Sequence, residues 1–413
     1  MKIILFVVAT SLSQDQAAID AAIEKGIAWL RSKNVGEHTH SWVNGDKIAM
    51  RHGELVAFTY AHCGIPESEP DFQALLKDMM ERKLETTYGS TLQAMTLEEL
   101  DREKYQRRIW QCAQFLVDNQ TPKGRWGYGA PSPAAENAPE DKAVKSGGSG
   151  VRKFPVPAAG VKTKPPVRQR LRVEPSREGA GEGDNSNSQY AALGLRACHD
   201  AGIVFPLRVV DKAIEAWRES QKNEPGVRPE ELIEGDALPK GGGASVAHRR
   251  AVPQGWCYGE RSGDQHGHHP PYGSMTAGAA GALAICDYIK DSDDGRKRSW
   301  KNDKDIHEGL AWLAKNFSVT CNPGKYEHGG AENSQESYFY YMYALERAGM
   351  LYGTELIGTH AWYAEGAREL LARQHPEYGS WGDGTVDTCF ALLFLRRATR
   401  PLDVATKSAR DGR

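Results

Sequence analysis

Acidic, amide and phenol side chains recur in this sequence at the starts of segments that are otherwise rich in small and apolar residues. Three carboxylates in these positions, Asp387, Glu54 and Asp184, are candidate catalytic groups, because a positioned carboxylate can act as a general acid or base. The candidate ligand-binding residues, which could hold a ligand by hydrogen bonds, are Asn185, Asn187, Tyr272, Asn333, Gln335, Glu336 and Tyr338. The alternative is that each side chain only caps the helix that it begins.

Two further groups of residues could take part in chemistry. An aromatic run could line a cavity for an apolar or a sugar ligand; it consists of Tyr338, Phe339, Tyr340, Tyr341 and Tyr343. At helical spacing only about half of these rings can face one side, so the others must pack in a core. A histidine cluster in a loop with Gly and Pro could bind a metal ion, adventitiously or by design; it consists of His266, His268 and His269.

The segments that carry these residues share one plan along the chain. Most follow an amphipathic helix and a turn that contains a Gly and an aromatic residue. The segments themselves are apolar nearly all round, which predicts helices that are buried on both sides. The predicted buried helices are 51–64, 86–100, 184–202, 273–289, 332–349 and 387–398.

The helices that precede them have one apolar face and one polar face. In 17–30, for example, the apolar residues fall on a single stripe that excludes Asp20 and Glu24. Six pairs of one-faced and two-faced helices predict an all-α fold, an (α/α)6 toroid of six helical hairpins with an inner ring surrounded by an outer ring. The competing architecture is an open α-solenoid, whose terminal repeats would be polar caps.

The turns between paired helices contain a recurring motif. Gln120 precedes Gly124 and Trp126, and Gln374 precedes Gly379 and Trp381; a third turn reads QGWCYG from Gln254. This pattern resembles the QW-type repeats of squalene–hopene and oxidosqualene cyclases. The resemblance implies a structural role, in which the Gln and Trp side chains join an outer helix to the next turn.

Longer segments extend the resemblance over essentially the whole ordered chain. The runs DNSNSQYAALGL, YGSMTAGAAGALAIC and GSWGDGTVDTCFALLFLRRA are similar to exported prenyltransferase and squalene oxidase repeat proteins, in the superfamily of terpenoid cyclases and protein prenyltransferases. The resemblance implies a central funnel that binds or transforms an isoprenoid or other apolar small molecule. Two other functions stay open, a non-catalytic exported binding or scaffold protein and a polysaccharide-active toroid.

A zinc site is a further expectation from the resemblance. Val386-Asp387-Thr388-Cys389 is similar to the Asp-x-Cys motif of protein prenyltransferase β subunits, which begins an inner helix. If the ring closes, the next inner helix is the first one, and His52 occupies the matching position. His52, Asp387 and Cys389 would then leave an open fourth position on zinc, which could hold a substrate thiolate.

The sequence also contains Asp291-Ser292-Asp293-Asp294, which matches the letters of the acid motif of class II terpene cyclases. In those enzymes the motif begins an inner helix, inside the cavity. Here it follows a predicted inner helix, and a general acid must lie within reach of its substrate. We therefore expect a solvated loop at this position.

Composition excludes several other functions. The net charge is −2 with a pI near 6.7, which gives no field that would attract nucleic acid. The sequence has no P-loop, GxGxxG, GxSxG or HExxH motif, so it does not predict a nucleotide-binding protein, a dehydrogenase, a serine hydrolase or a zincin. The seven Cys residues include no CxxC pair, and we expect no disulfide framework.

The ends of the chain and two insertions depart from the repeat. Residues 1–13, MKIILFVVATSLS, have the pattern of a signal peptide and predict export to the periplasm or the extracellular space. No other segment is apolar enough for a membrane span. We expect one toroid domain over 14–400 and a flexible tail at 401–413. The insertion at 130–183 is predicted to be disordered, and with the second insertion at 224–253 it could form a lid or a docking surface for a protein partner.

Overall fold

Helices dominate the part of the chain that the computed structural model describes, residues 2–33, 41–44, 47–139, 164, 167–222, 228–235, 246–259, 270–296, 298–325 and 332–402. Twelve α-helices account for most of these residues, and the strands are only two to six residues long. This confirms the all-α class that the 3.6-residue periodicity predicts.

The odd-numbered helices are amphipathic. In the helix 207–220, Val210, Ile214 and Trp217 are buried, whereas Arg208 and Glu215 are exposed. Such a helix packs on one side and faces solvent on the other. The odd-numbered helices are α1 (Lys2–Ser32), α3 (Pro70–Glu81), α5 (Gln106–Asp118), α7 (Leu207–Ser220), α9 (Lys304–Lys315) and α11 (Trp362–Arg373).

The even-numbered helices are buried nearly all round. In the helix 338–352 every residue except Tyr340 is buried, and in 273–294 many small Ala and Gly residues allow close approach of neighbours on several sides. The even-numbered helices are α2 (His52–His62), α4 (Thr87–Asp101), α6 (Asn185–Asp200), α8 (Gly273–Asp294), α10 (Tyr338–Tyr352) and α12 (Thr385–Leu395).

The even-numbered helices contact one another in chain order, and the last of them, α12, also contacts α2. α1 in turn contacts α11 and α12. Like ends of these helices meet: the Ser186 hydroxyl near the start of α6 bonds to Tyr88 near the start of α4, and Arg396 after the end of α12 donates to the carbonyl of His62 at the end of α2. The contacts of the even-numbered helices therefore form a closed cycle.

Four short two-stranded sheets lie between the helices, where the sequence predicts no strands. Three are antiparallel hairpins and one is a parallel pair. The pairs are β1 (Ser41–Asn44) with β2 (Lys47–Arg51), β3 (Leu171–Arg172) with β4 (Ile203–Val204), β5 (Glu230–Gly235) with β6 (Val246–Ala251), and β7 (Asn322–Lys325) with β8 (Glu332–Ser334).

The tryptophans of the turn motif are fixed at both their side chain and their backbone. Trp126, Trp256 and Trp381 are almost fully buried, and each indole N–H donates to a backbone carbonyl of the preceding odd-numbered helix. Their backbone N–H groups donate to a hydroxyl of the next even-numbered helix, from Ser188, Thr276 and Thr388 at 3.0, 3.1 and 3.0 Å. Each turn thus joins the two helices of its pair, which confirms the structural role expected of Trp126 and Trp381.

The glutamines of the motif connect successive odd-numbered helices. The side-chain amide of Gln120 donates to the carbonyls of Gly124 and Val209, and that of Gln374 donates to Gly379 and to Ala22 in α1. The structural role predicted for both residues is therefore confirmed. The bond to Ala22 joins residues 352 positions apart and links the last odd-numbered helix to the first.

In the third turn the equivalent glutamine is not Gln254. The amide of Gln221, which ends α7, donates to the carbonyl of Asp305 in α9 and to that of Gln254 itself. The 230–251 hairpin separates Gln221 from Trp256 in sequence, so the spacing rule does not find it.

The first insertion is ordered where the structure describes it, in 130–139, at residue 164 and in 167–183. β3 pairs with β4, Val173 is buried, and the indole of Trp110 donates to the carbonyl of Arg172. The prediction of disorder is therefore wrong for these residues, because they bury apolar surface and their carbonyl groups accept hydrogen bonds from helix side chains.

Two helix boundaries also differ from the prediction. α10 begins at Tyr338 rather than near residue 332, and α8 continues through Asp291 to Asp294. Asp291 is buried and accepts from the backbone N–H of Ser299, so this segment is a helix end rather than a solvated loop. It lies at the opposite end of α8 from Tyr272.

All seven cysteines are free in the structure, as the sequence predicts. Six are buried, where a thiol packs as a small apolar group. Among the helices of the described ranges, none is long and apolar enough to cross a membrane.

Candidate functional site

Four tyrosines meet where α4, α6 and α10 begin. Tyr88 and Tyr340 belong to the first turns of α4 and α10, whereas Tyr128 and Tyr258 lie in turns that follow Trp126 and Trp256. Tyr88 is buried, and the other three rings are half-buried. We refer to Tyr88, Tyr128, Tyr258 and Tyr340 as the phenol cluster.

The hydroxyl groups of the phenol cluster bond mainly to one another and to near neighbours. The Ser186 hydroxyl lies 2.6 Å from that of Tyr88 and 2.8 Å from that of Tyr340. The hydroxyls of Tyr128 and Tyr258 are 3.3 Å apart. The hydroxyls are thus paired, while Tyr128, Tyr258 and Tyr340 stay partly exposed.

Burial keeps these phenols neutral. It raises the pKa of Tyr88, Tyr258 and Tyr340 well above the usual value for a tyrosine, and the Asp184 carboxylate adds to the increase. The rings therefore carry no charge near neutral pH, and the cluster offers aromatic surface with uncharged hydroxyls.

Asp184 precedes α6 and caps it. One carboxylate oxygen accepts from the backbone N–H of Asn187 at 2.7 Å, and the other accepts from the Asn187 amide at 2.8 Å. Burial raises the pKa of Asp184 to about 6, although the hydrogen bonds from Asn187 and Tyr258 oppose the increase. The cap that the sequence leaves as an alternative is thus present, and the same carboxyl titrates near neutral pH beside the phenol cluster.

Asn185 and Asn187 help to hold this region together. The Asn185 amide donates to the carbonyl of Cys257, and its backbone N–H donates to that of Tyr258, so the start of α6 is tied to the next turn. Asn187 is committed to Asp184. Both asparagines position the phenol cluster rather than pointing freely into a cavity.

A chain of polar groups leads from the phenol cluster into the core. The Gln189 amide donates to the Tyr340 hydroxyl at 2.7 Å, and its carbonyl accepts from Arg347 at 2.8 Å. The Arg347 guanidinium lies 4.2 Å over the Tyr343 ring and 5.4 Å from the centre of the Tyr190 ring. Arg347 is only 2% exposed, so a charged group lies at the centre of the helical array.

Glu54 does not join the phenol cluster. It is buried between α2 and α4, where it accepts from the Gln93 amide at 2.8 Å, and Gln93 in turn accepts from Arg108. Burial raises the pKa of Glu54. We assign it a role in packing these two helices.

The predicted zinc ligands do not come together. Among the described residues, no three His, Cys, Asp or Glu side chains form a group that could hold a metal ion, and this applies to His52, Asp387 and Cys389. The Asp387 carboxylate accepts from the backbone N–H of Asp383. Burial raises the pKa of the Cys389 thiol to about 12.

The remaining predicted binding residues lie elsewhere. Gln335 and Glu336 are exposed in the turn before α10, and Gln335 pairs with Arg373 of α11. Tyr338 points away from the phenol cluster, since its hydroxyl donates to the carbonyl of Val319. These placements correct the prediction, whose helix start was about six residues too early.

Two other predicted residues complete the set. Tyr272 is the buried N-cap residue of α8, and its backbone N–H donates to the carbonyl of Trp256. Asn333 lies in β8, and its side chain falls outside the part that the structure describes. The histidines His266, His268 and His269 also lie outside the described residues.

Sequence reasoning missed most of the phenol cluster, although a signal was present. Trp126-Gly127-Tyr128-Gly129 and Trp256-Cys257-Tyr258-Gly259 repeat one pattern, with Tyr two residues after Trp. The turn that contains Trp381 has Asp383 at that position. The repeated Tyr of the two turns was the signal that could have found Tyr128 and Tyr258.

Neither a protein-family model nor a curated protein matches this chain. Its function is therefore argued from the residues and their geometry.

Proposed function

We propose that the chain is an (α/α)6 toroid, related to terpenoid cyclases and protein prenyltransferases, that binds an uncharged and largely apolar ligand of isoprenoid type. The toroid is supported by the cyclic contacts of the even-numbered helices and by the bond from Gln374 to Ala22, which links the last odd-numbered helix to the first. In such a ring the even-numbered helices form the inner layer, and the phenol cluster lies at the mouth of the central funnel.

The ligand class is inferred from the pairing of the hydroxyls in the phenol cluster. An apolar ligand can cover the faces of Tyr128, Tyr258 and Tyr340 without leaving a buried hydroxyl unpaired. A sugar would need donors and acceptors for most of its hydroxyl groups, and the donors of the cluster already have partners. Aromatic faces also provide large contact areas for an apolar chain.

The test is equilibrium dialysis of the protein with tritiated farnesol, with cellobiose as the competing ligand class. We expect saturable farnesol binding that is kept in Tyr128→Phe, which retains the ring, and weakened at least tenfold in Tyr128→Ser. Tenfold corresponds to about 1.4 kcal/mol. Tyr378→Ser is the matched control, because Tyr378 is 57% exposed and lies outside the phenol cluster.

Three results would contradict the proposal. Binding of cellobiose without farnesol would favour the polysaccharide-active alternative. If neither ligand binds, the non-catalytic scaffold, with a protein partner, becomes the better explanation. Equal losses in Tyr128→Phe and Tyr128→Ser would show that the hydroxyl, and not the ring, makes the contact.

Catalysis by Asp184 is a second candidate function, and the observation that favours it is the pKa of about 6 beside aromatic rings. A carboxyl with this pKa is partly protonated near neutral pH and could donate a proton to a bound alkene. The expected product of incubation with squalene is an isomer detected by mass spectrometry, whose yield falls as the pH rises through about 6. Asp184→Asn should abolish it, and an unchanged yield in that variant would exclude Asp184 as the acid.

A further inference from the structure

A small cavity lies among the C-terminal ends of α2, α4 and α6, at the opposite end of these helices from the phenol cluster. Its volume is about 80 Å³, and its apolar walls include Phe58, Met95 and Leu193. The remaining lining is highly charged, with Glu98, Glu99, Arg102, Lys164, Arg196 and Asp200 among the contributors.

Basic side chains here bind helix carbonyls. Lys164 donates to the carbonyl of Glu98, and Arg102 donates to that of Asp200. Carbonyl groups at a helix C-terminus carry partial negative charge and favour cations. The basic residues therefore have a structural role as caps, and their presence alone does not indicate a ligand.

The carboxylates of the cavity are already paired. Glu99 accepts from Arg400 through both oxygens, at 2.8 and 2.9 Å, and also contacts Lys164. Burial would raise the pKa of Glu99, but Lys164 and Arg400 hold it well below the usual range. Asp200 accepts from the Tyr288 hydroxyl and also contacts Arg196. The carboxylates in the wall are thus ionised and already have ionic or hydrogen-bonding partners.

Three of the buried donors without a hydrogen bond in the described part of the chain lie at or behind the cavity wall. They are the Nε of Arg196, the hydroxyl of Tyr343 and one terminal nitrogen of Arg347. Arg196 is 8% exposed, and its Nε lies 3.5 Å from the nearest Asp200 oxygen, too poorly placed for a hydrogen bond. Arg196 and Tyr343 both line the cavity.

Arg347 adds charge behind this wall. Its guanidinium covers the face of Tyr343 at 4.2 Å and donates a hydrogen bond to the neutral Gln189 amide at 2.8 Å. Burying an arginine without a hydrogen-bonded carboxylate is costly, and so is burying a donor without an acceptor. The cavity thus has surplus donors and positive charge, while its acceptors are already used.

We propose that this cavity binds a small oxyanion, a carboxylate or an inorganic phosphate, which accepts hydrogen bonds from Arg196 and Tyr343 and is stabilised by the charge of Arg347. The volume is sufficient for a few waters or one small anion. This site is separate from the phenol cluster, and it does not depend on the ligand proposed there.

The test is calorimetric titration of the full chain with inorganic phosphate and, separately, with acetate, in chloride buffer of matched ionic strength. We expect one saturable site for at least one of the two anions, and the preferred anion identifies the source of the oxyanion. Tyr343→Phe should weaken that binding at least tenfold, because it removes one donor and keeps the ring.

Tyr341→Phe is the matched control. Tyr341 lies in the same helix, but its hydroxyl donates to the carbonyl of Ser318, outside the cavity. It should leave anion affinity unchanged. A second variant, Arg347→Met, should also weaken binding, and its helical circular dichroism establishes whether it folds.

The proposal fails if neither anion binds the wild-type chain, because water would then be the partner of the three donors. It also fails if Tyr343→Phe and Tyr341→Phe bind the anion equally well. In either case a higher melting temperature of Tyr343→Phe would show that the unpaired hydroxyl is only a structural cost.

Discussion

At the scale of single residues, Asp184 combines two properties that are usually separate. As an N-cap it stabilises the start of α6, and as a buried carboxyl it has a pKa of about 6 beside the phenol cluster. The cap favours the ionised form, because an anion accepts the hydrogen bonds of the first helical turn. Burial favours the neutral form and outweighs the cap.

The titration of Asp184 should make the protein less stable as the pH rises. The folded pKa of about 6 lies above the usual 3.8, so the folded state binds more protons than the unfolded state between these values. The contribution is fully present below the unfolded pKa and is lost as the pH rises through about 6, with a total of about 3 kcal/mol. Urea unfolding between pH 4 and 8 measures this slope.

Asp184→Asn should reduce that slope by the contribution of Asp184. The variant stays neutral, and its amide could donate to the Asn187 carbonyl oxygen, which is buried without a hydrogen bond among the described residues. We therefore expect equal or greater stability than wild type at pH 8 and little difference at pH 4. An unchanged slope would mean that another carboxyl, such as Asp287 with a pKa of about 7, is responsible.

At the scale of elements, the turns decide how each helix pair is joined. Gly124 has a positive φ of 78°, and a Cβ on it would lie 2.1 Å from the carbonyl oxygen of Lys212 in α7. The turn therefore needs glycine both for its backbone conformation and for the close approach of the next odd-numbered helix. This approach allows the Gln120 amide to reach Val209.

Gly124→Ala should lower stability by about 3 kcal/mol, because the clash with Lys212 adds to the cost of a left-handed alanine. Gly181→Ala is the control: its φ is 80°, but its Cβ would meet no atom within 4 Å. That variant should lose only about 1 kcal/mol. Chemical denaturation of both variants gives the difference, and equal losses would show that α7 moves away at little cost.

At the scale of the whole molecule, the proposed ring has no terminal repeat. Each even-numbered helix has two even-numbered neighbours, since α12 contacts α2. In an open solenoid the first and last repeats have one neighbour each and fray before the centre. A closed ring instead supports all its repeats on both sides.

Hydrogen exchange distinguishes the two arrangements. In a closed ring we expect amide protection in α2 and α12 to be comparable to that in α6. Gln374→Ala should reduce protection in α1 and α11, and Gln120→Ala should reduce it similarly in α5 and α7, because each loses equivalent hydrogen bonds. Much faster exchange of α2 and α12 than of α6 in the wild type would contradict closure.

Much of the fold follows from local sequence. Helical periodicity separated one-faced from two-faced helices, and the Gly-x-Trp turns marked where they pair, because apolar burial and turn geometry depend on neighbouring residues. The predicted start of α10 was wrong because residues 332–334 form the strand β8. This strand pairs with β7, which belongs to another segment of the chain. Local patterns do not contain such pairings.

The candidate site depended much less on local sequence. Residue type predicted that Asp184 could be both cap and acid, but the metal set of His52, Asp387 and Cys389 relied on an assumed alignment of helix starts and was not assembled. Tyr340 was visible as one ring of an aromatic run. Its hydrogen bond with Ser186, 154 residues away, was not visible in the sequence.

The sequence by itself determined the helices, their apolar faces, the Trp turns and the individual caps, because each depends on residues within a few positions of one another. Only the tertiary structure decided which side chains meet. Packing brings Tyr88, Tyr128, Tyr258 and Tyr340 together at one end of the helices and pairs the buried Arg347 with the neutral Gln189 amide in the core. These contacts depend on how the helix pairs are arranged around one another, and this arrangement is set by the sum of many interhelical contacts rather than by any single motif.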